Sequence, residues 1–317
     1  MVVREACRHF LLHCQYVRKL SPHTLRAYER DLDTFVTLVD EKSVLNIDKH
    51  HLKLYLFNLH QTDLGIRSIK RRVACLKSMF RWLEQEEIIT SNPMLKVDTT
   101  LKVPNQLPRN IPKKNLRKML KTAREELGLT KGQGYELQSV GALINSAKDL
   151  NKLTCVLSLE LLFATGVRVS ELVSIEMNHI MQKERKVKVL GKGQRERFVF
   201  LPSIEILTLL NTYTSVRSKL EIESIFLLVN SRGNQASPHF VRKLLRETAE
   251  KASIDRITPH MYRHSSACQL LESGVDIRYV QKLLGHQSIL TTQLYTHVND
   301  NELQKKITKA NIRSFIA

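Results

Sequence analysis

The chain has 317 residues, of which 42% are hydrophobic, and a formal net charge of +19 with a pI near 9.8. This length predicts two domains, and the apolar content excludes a largely disordered protein. The sequence contains no run of about 18 apolar residues, so no membrane span is predicted. Five cysteines without a CxxC pair predict reduced thiols in a cytoplasm.

The first hundred residues, 1–100, predict a small all-helical domain. Residues 21–39 begin with a Ser-Pro pair suited to a helix start and continue with apolar residues at helical spacing. Residues 48–60 and 66–87 follow the same pattern. The last of these helices has an apolar face and a basic face, and we predict that the basic face binds DNA; the alternative is a solvated face. Its basic residues are Arg67, Lys70, Arg71, Lys77 and Arg81.

A basic linker is predicted at residues 101–112. Residues 101–124 contain eight basic side chains and no acidic one, and three prolines favour an extended chain. Such a segment suits contact with phosphates, and the alternative is a linker that contacts only solvent. The phosphate-binding residues predicted just after it are Lys113, Lys114 and Arg117.

The second domain, 113–317, is predicted to be mostly helical with one small sheet. Residues 113–127 predict a basic helix, and the glycine-rich stretch 128–150 predicts a loop followed by a short helix. The sequence KVKVLGKGQRERFVFLP alternates on both sides of a glycine-flanked turn, which predicts a β-hairpin with Lys192 at its tip. Other helices are predicted at 152–163, 168–175, 203–219, 238–252, 260–273, 276–284, 288–296 and 300–316.

The stretch TPHMYRHSSA places His260 and His264 four residues apart with Arg263 between them. Histidines at this spacing share a helix face and are a common metal pair, whereas an arginine binds an anion. A zinc motif of the HExxH type requires a glutamate where Met261 stands, and no third ligand is evident nearby. The sequence therefore predicts a phosphate site without metal, with His264 in a structural role.

Several short motifs occur together along the second domain. They are ATGVRVSEL with Arg168, GKG with Lys192, HMYR with His260 and Arg263, LLGH ending at His286, and LYTHV with Tyr295. Each alone has an ordinary structural explanation. In this order and spacing, from about 160 to 298, they resemble the tyrosine site-specific recombinases, most closely the Xer-type and mobile-element integrase branch.

The resemblance implies how the scissile phosphate would be held and attacked. Arg168 and Arg263 would bind its non-bridging oxygens, and His286 would donate a further hydrogen bond. Tyr295 would attack phosphorus, giving a 3′-phosphotyrosyl DNA and a free 5′-hydroxyl. Glu171 would support Arg168 and would not react.

The resemblance also implies the proton transfers. Lys192 would protonate the leaving 5′-oxygen, and His260 would assist proton transfer around the tyrosine and the phosphate. Fixed guanidinium groups stabilise phosphorane charge without a metal, and the covalent intermediate conserves bond energy, so neither cofactor nor ATP is expected.

The family also implies architecture and partners. A helical core-binding domain and a catalytic domain would form a C-shaped clamp around duplex DNA, and four protomers would assemble on two sites. The tail at 300–316 would dock on a neighbouring protomer; the alternative is packing on its own domain. Accessory DNA-bending proteins are further candidate partners, no membrane partner is expected, and the predicted location is the cytoplasm, at the nucleoid.

Alternatives remain open from sequence alone. A type IB topoisomerase shares this catalytic set, and a DNA-binding regulator would bind without cleavage. Tyr262 and Tyr279 are rival nucleophiles: the first is predicted to point away from the face of His260 and Arg263, and the second to pack within its helix. The stretch 125–150 looks like an insertion that contacts DNA, a neighbouring subunit or nothing.

Overall fold

The computed structural model describes residues 1–39, 42–101, 110–191 and 195–285. Within these ranges the protein is mainly helical with one small antiparallel sheet, which confirms the predicted fold class. The chain divides into two compact units, Met1–Gln106 and Leu107–Ala317. Each unit has its own hydrophobic core.

The first unit is built from amphipathic helices, and side chains cap the starts of two of them. Ser21 Oγ accepts a hydrogen bond from the Thr24 amide before the second helix, and Asp48 accepts hydrogen bonds from two amides at the start of the third. The helices at 21–39, 48–60 and 66–87 are thus confirmed. The helix before them was not predicted, although its buried residues Val3, Cys7, Phe10 and Cys14 follow helical spacing. The helices are α1 (Val3–Tyr16), α2 (Pro22–Val39), α3 (Lys49–Gln61) and α4 (Ile66–Gln85).

The second unit packs around α7, which is buried along most of its length. Leu153, Leu157 and Leu162 are completely buried, and α7 contacts α5, α9, α10 and α11. Residues 153–159 are all buried, so this part of α7 is enclosed on every face. The helices of this unit are α5 (Lys113–Leu127), α6 (Leu137–Gly141), α7 (Ala147–Thr165), α8 (Val169–Val173), α9 (Ile204–Lys219), α10 (Pro238–Lys251), α11 (Pro259–Glu272) and α12 (Ile277–Leu284).

The predicted hairpin is confirmed, with an additional short strand beside it. The strands β1 (Ile180–Met181), β2 (Lys186–Leu190) and β3 (Glu196–Phe200) form an antiparallel sheet in the order β1-β2-β3. Val189 pairs with Arg197, and the Gly191 amide donates to the Arg195 carbonyl oxygen at 2.8 Å. Lys192 lies outside the described residues.

The stretch 125–150 packs on its own unit. Leu129, Tyr135 and Val140 are buried in the core of the second unit, and Thr212 donates a hydrogen bond to the Tyr135 carbonyl oxygen at 2.6 Å. The Tyr135 hydroxyl donates to Glu160 at 3.0 Å. This stretch is therefore a structural part of the second unit.

Among the helices in the described ranges, none is both long enough and apolar enough to cross a membrane.

Candidate active site

Arg168, the first of the two arginines predicted to bind the scissile phosphate, lies at the start of α8, just after the buried helix α7. Gly166 ends α7 in a left-handed conformation with φ 62°, and the chain then turns so that Arg168 caps α8. Arg168 donates to Glu171 twice, from its amide at 2.8 Å and from Nη1 at 2.7 Å. Its side chain keeps 34% exposure, so the guanidinium is both oriented and accessible.

The Glu171 carboxylate is the centre of a buried ionic network. Its side chain is 4% exposed, and Arg197 donates to it from Nη1 at 3.1 Å and from Nη2 at 2.8 Å. Burial alone would raise the pKa of Glu171, but hydrogen bonds from Arg197 and from the Arg168 amide outweigh it and lower that pKa. Glu171 is therefore ionised at neutral pH.

Arg263 reaches the same network from α11. Its Nη1 donates to the Gly166 carbonyl oxygen at 2.8 Å and its Nη2 donates to the Leu284 carbonyl oxygen at 2.6 Å. Nη1 also lies 4.0 Å from Glu171 Oε2. The described structure thus brings Arg168 and Arg263 to one carboxylate.

His260 lies in the first turn of α11 and is exposed. Partial loss of water around the ring and the positive charges of Arg263, Arg168 and Arg242 lower the pKa of His260. Its neutral form, which accepts a proton, is therefore favoured. His264, one turn later, is buried and its Nε2 lies 3.7 Å from the Cys268 sulfur.

Three predicted catalytic residues, Lys192, His286 and Tyr295, lie outside the described residues. The residue before His286 is described: Gly285 ends α12 in a left-handed conformation with φ 67°. A Cβ at Gly285 would stand 3.1 Å from Arg197 Cδ, so a larger residue would crowd the network. Of the six predicted catalytic residues, the described part of the site therefore contains Arg168, His260 and Arg263.

The two rival tyrosines, Tyr262 and Tyr279, differ in their exposure to solvent. Tyr262 is 1% exposed, its hydroxyl has no hydrogen-bond partner among the described residues, and burial raises its pKa far above the usual range. The prediction that Tyr279 packs within its helix is wrong: Tyr279 is 70% exposed, because α12 buries Val280 and Leu284 instead. Burial thus disfavours Tyr262 as a nucleophile, and exposure alone does not exclude Tyr279.

The sequence reasoning missed Arg197. On β3, Val199 faces the core, and the two-residue period of a strand puts Arg197 on the same inward face. A charged residue at an inward strand position was the available signal. Its partner Glu171 could not be inferred, because the two residues meet only through the tertiary fold.

No group of three or more His, Cys, Asp and Glu side chains within the described ranges is arranged to hold a metal ion. The positive charge at this site comes from guanidinium groups.

The predicted basic faces are exposed, with one qualification. Among the described residues, Arg67, Lys70, Lys77 and Arg81 form no ion pair, whereas Arg71 donates hydrogen bonds to the buried Asp31 carboxylate and to the Ala27 carbonyl oxygen. The charge of Arg71 is therefore already matched within its own unit. On α5, the predicted phosphate-binding residues Lys113, Lys114 and Arg117 are all exposed.

Sequence comparisons agree with these motifs. The family model described as "Phage integrase family" matches residues 135–302, and "Phage integrase, N-terminal SAM-like domain" matches residues 8–87. A "Tyrosine recombinase" of Agathobacter rectalis is 32% identical over 290 residues, which cover 91% of this chain and 90% of that protein. "Tyrosine recombinase XerD" of Halalkalibacterium halodurans is 34% identical over 303 residues, covering 92% and 93%.

Solved structures share the fold. The XerH site-specific recombinase in a post-cleavage complex with its difH substrate has a TM-score of 0.71 at 21% identity, covering 93% of this chain and 82% of that one. A lambda integrase tetramer bound to a Holliday junction has a TM-score of 0.67 at 16% identity, covering 93% and 77%.

Proposed function

This chain belongs to the phage integrase family and is a tyrosine recombinase of the Xer branch, an enzyme of site-specific DNA recombination, and from that premise we propose how its residues cleave and rejoin DNA. The reaction proceeds through a 3′-phosphotyrosyl intermediate, without metal or ATP. It serves the integration, excision or resolution of DNA.

The observation that carries the proposal is the shared network of Arg168 and Arg263 around Glu171. Attack on a phosphodiester increases negative charge on the non-bridging oxygens, and fixed guanidinium groups stabilise that charge without reorganising. Arg168 is accessible to a phosphate, and Arg263 is oriented by the carbonyl oxygens of Gly166 and Leu284. Together they supply the electrostatic stabilisation for which other nucleases use metal ions.

Four further roles complete the reaction. Tyr295 is the nucleophile, Lys192 protonates the leaving 5′-oxygen, and His286 donates a hydrogen bond to the phosphate. A phenol has a pKa of about 10, so it must lose its proton as it attacks. His260, whose lowered pKa favours the neutral ring, accepts that proton.

Binding of the duplex involves both domains. Residues 1–100 form a core-binding domain, 101–112 a basic linker, and 113–317 the catalytic domain. The exposed cations of α4 and α5 contact phosphates, which position a protein on DNA without reading its sequence. Arg71 contributes less than its neighbours, because Asp31 already pairs with it.

Assembly on DNA follows from the exchange of strands between two sites. Each site requires two cleavages, so four protomers act together, and the tail at 300–316 docks on a neighbouring protomer. Accessory DNA-bending proteins assist the assembly. The reaction takes place in the cytoplasm, at the nucleoid.

Trapping of a covalent adduct tests this function. A duplex selected by binding from a random-sequence pool is nicked beside the cut, so that the cleaved fragment diffuses away and the protein stays attached. We expect an adduct on the selected duplex and not on a scrambled one, and it should form in excess chelator.

The other outcomes identify the rivals. An adduct of equal yield on scrambled DNA would indicate a topoisomerase, and tight binding without any adduct would indicate a DNA-binding regulator. Loss of the adduct in chelator with recovery on adding zinc or magnesium would contradict the metal-free reaction.

A further inference from the structure

Arg197 donates three hydrogen bonds in and beside the ionic network, and none of the roles proposed above involves it. From its position on β3, Nη1 and Nη2 donate to the two carboxylate oxygens of Glu171 at 3.1 and 2.8 Å. Its Nε donates to the Leu283 carbonyl oxygen at 2.7 Å. The side chain is 11% exposed, so it is placed for internal contacts and not for binding DNA directly.

These bonds connect three chain segments that carry proposed catalytic residues. Glu171 holds Arg168 through its amide and its Nη1. Leu283 stands in the last turn of α12, and His286 follows three residues later in the sequence. Arg197 itself belongs to the hairpin whose connecting residues include Lys192.

The contacts depend on the shape of the guanidinium. Two parallel N–H groups match a carboxylate while the third nitrogen points elsewhere, which a lysine ammonium cannot reproduce. The fit is also close: a Cβ at Gly285 would lie 3.2 Å from Arg197 Nη1. Movement of Arg197 would therefore disturb Glu171 and the end of α12 together.

We infer that Arg197 is a positioning residue for strand cleavage, which aligns the Arg168 clamp, the end of α12 before His286, and the hairpin of Lys192 with one another. This inference rests on the proposed function. The competing explanation is that Arg197 only neutralises the buried Glu171 charge, without effect on the alignment.

The test compares single-turnover cleavage by Arg197→Met, Arg197→Lys and the wild-type protein on the selected, nicked duplex at saturating protein. Misplacing catalytic groups by about 1 Å costs on the order of 100-fold in rate, so we expect Arg197→Met to cleave about 10-fold to 100-fold more slowly. Affinity for the duplex should stay within about threefold, since the side chain does not contact DNA. Arg197→Lys should recover only part of the rate, because it cannot make all three bonds. Lys188→Met is the matched control, since it removes a cation of the same hairpin that pairs with Glu196 on the outer face.

Arg197→Met leaves Glu171 with one fewer partner and is expected to lower stability, so a second background separates the two explanations. In Glu171→Gln protein the buried charge is gone, and Arg197→Met no longer creates an unpaired carboxylate. If Arg197 also aligns the site through its hydrogen bond to Leu283, the double variant Glu171→Gln/Arg197→Met should still cleave at least about 10-fold more slowly than Glu171→Gln alone. Equal rates for these two variants would overturn the inference.

A substrate with a methylphosphonate at the cut gives an independent readout. This group lacks one charged oxygen, so cleavage depends less on a correctly placed Arg168. The defect of Arg197→Met should therefore be smaller on this substrate than on the ordinary phosphate, whereas a loss of folded protein would reduce both rates equally. Equal defects would contradict the inference. No adduct from the wild-type protein on either substrate would overturn the proposed function, and the inference with it.

Discussion

Arg263 donates a hydrogen bond to the carbonyl oxygen of Gly166 at 2.8 Å, which joins α11 to the end of α7. Gly166 has a φ of 62°, a conformation that residues with a Cβ rarely adopt, and it lies two residues before Arg168. One backbone position therefore orients both arginines that are proposed to bind the phosphate.

Gly166→Ala should lower the free energy of unfolding and the cleavage rate. The left-handed conformation costs an alanine about 1–2 kcal/mol, and its Cβ would stand 2.7 Å from Leu284 Cδ2 and 3.2 Å from Ser266 Oγ. With the cost of forcing these neighbours apart, we expect a loss of about 2–4 kcal/mol, measured by urea unfolding.

Gly132→Ala is the control for this prediction. Gly132 also has a positive φ, of 90°, but a Cβ there would have no neighbour within 4 Å. It should show the conformational cost alone and leave the cleavage rate unchanged. If the two variants lose the same stability, crowding of Leu284 by the new Cβ at position 166 does not contribute to the loss.

The pH dependence of cleavage should reveal His260. Partial loss of water around the ring, together with the positive charges beside it, lowers the pKa of His260 below the ordinary 6.5. If the neutral ring accepts the proton of the attacking tyrosine, the wild-type rate should stay constant from pH 8 to about 6.5 and fall only at lower pH. The measurement is single-turnover cleavage between pH 5 and 8.

His260→Gln tests the assignment of that fall. The variant should cleave about 100-fold more slowly at pH 7.5. Its rate should also lack the fall below about pH 6.5 that protonation of His260 causes in the wild-type protein. A wild-type fall centred above pH 6.5, or an unchanged profile in the variant, would contradict the proposed proton transfer.

Arg71 and Lys70 should have different effects although they are neighbours on α4. Arg71 pairs with Asp31, whose side chain is 1% exposed. Arg71→Gln should therefore lower the free energy of unfolding of the first unit by about 1–3 kcal/mol, whereas Lys70→Gln should leave stability unchanged and weaken DNA binding. Urea unfolding and binding titrations of both variants check this, and the reverse assignment would contradict it.

The cations of α5 should act through phosphates and not through bases. Neutralising Lys113, Lys114 or Arg117 should reduce the log–log salt slope of binding by about one unit per residue. The loss of affinity should be similar on selected and random duplexes. A slope unchanged in all three variants would show that the segment contacts solvent, and a loss confined to the selected duplex would indicate contact with bases.

Helices with a regular apolar face and the hairpin were predictable because their signals are local. The period of α4 and the alternation around Gly191 follow from which side chains must be buried. The starts of helices were less accurate: α7 begins at Ala147, five residues before its apolar run suggested. Ser146 accepts a hydrogen bond from the Asp149 amide and sets that start.

The network around Glu171 could be predicted only in part. Arg168 and Glu171 are one helical turn apart, so their pairing has a sequence signal. Arg197 is 26 residues from Glu171 and meets it through packing of the sheet on α8. The exposure of Tyr279, by contrast, was predictable from the sequence. Ile277, Val280 and Leu284 follow helical spacing along one face of α12, and Tyr279 lies off that face.

The most direct test of the account is the position of the covalent bond to DNA. Trypsin would place the three candidate tyrosines on separate peptides: Tyr262 on 257–263, Tyr279 on 279–282, and Tyr295 on 283–305. Mass spectrometry of the digested adduct, after nuclease treatment, should find the nucleotide on peptide 283–305. Tyr295→Phe should give no adduct while binding DNA normally, and Tyr262→Phe and Tyr279→Phe should both retain it. A nucleotide on either other peptide, or an adduct at wild-type yield from Tyr295→Phe, would contradict the account.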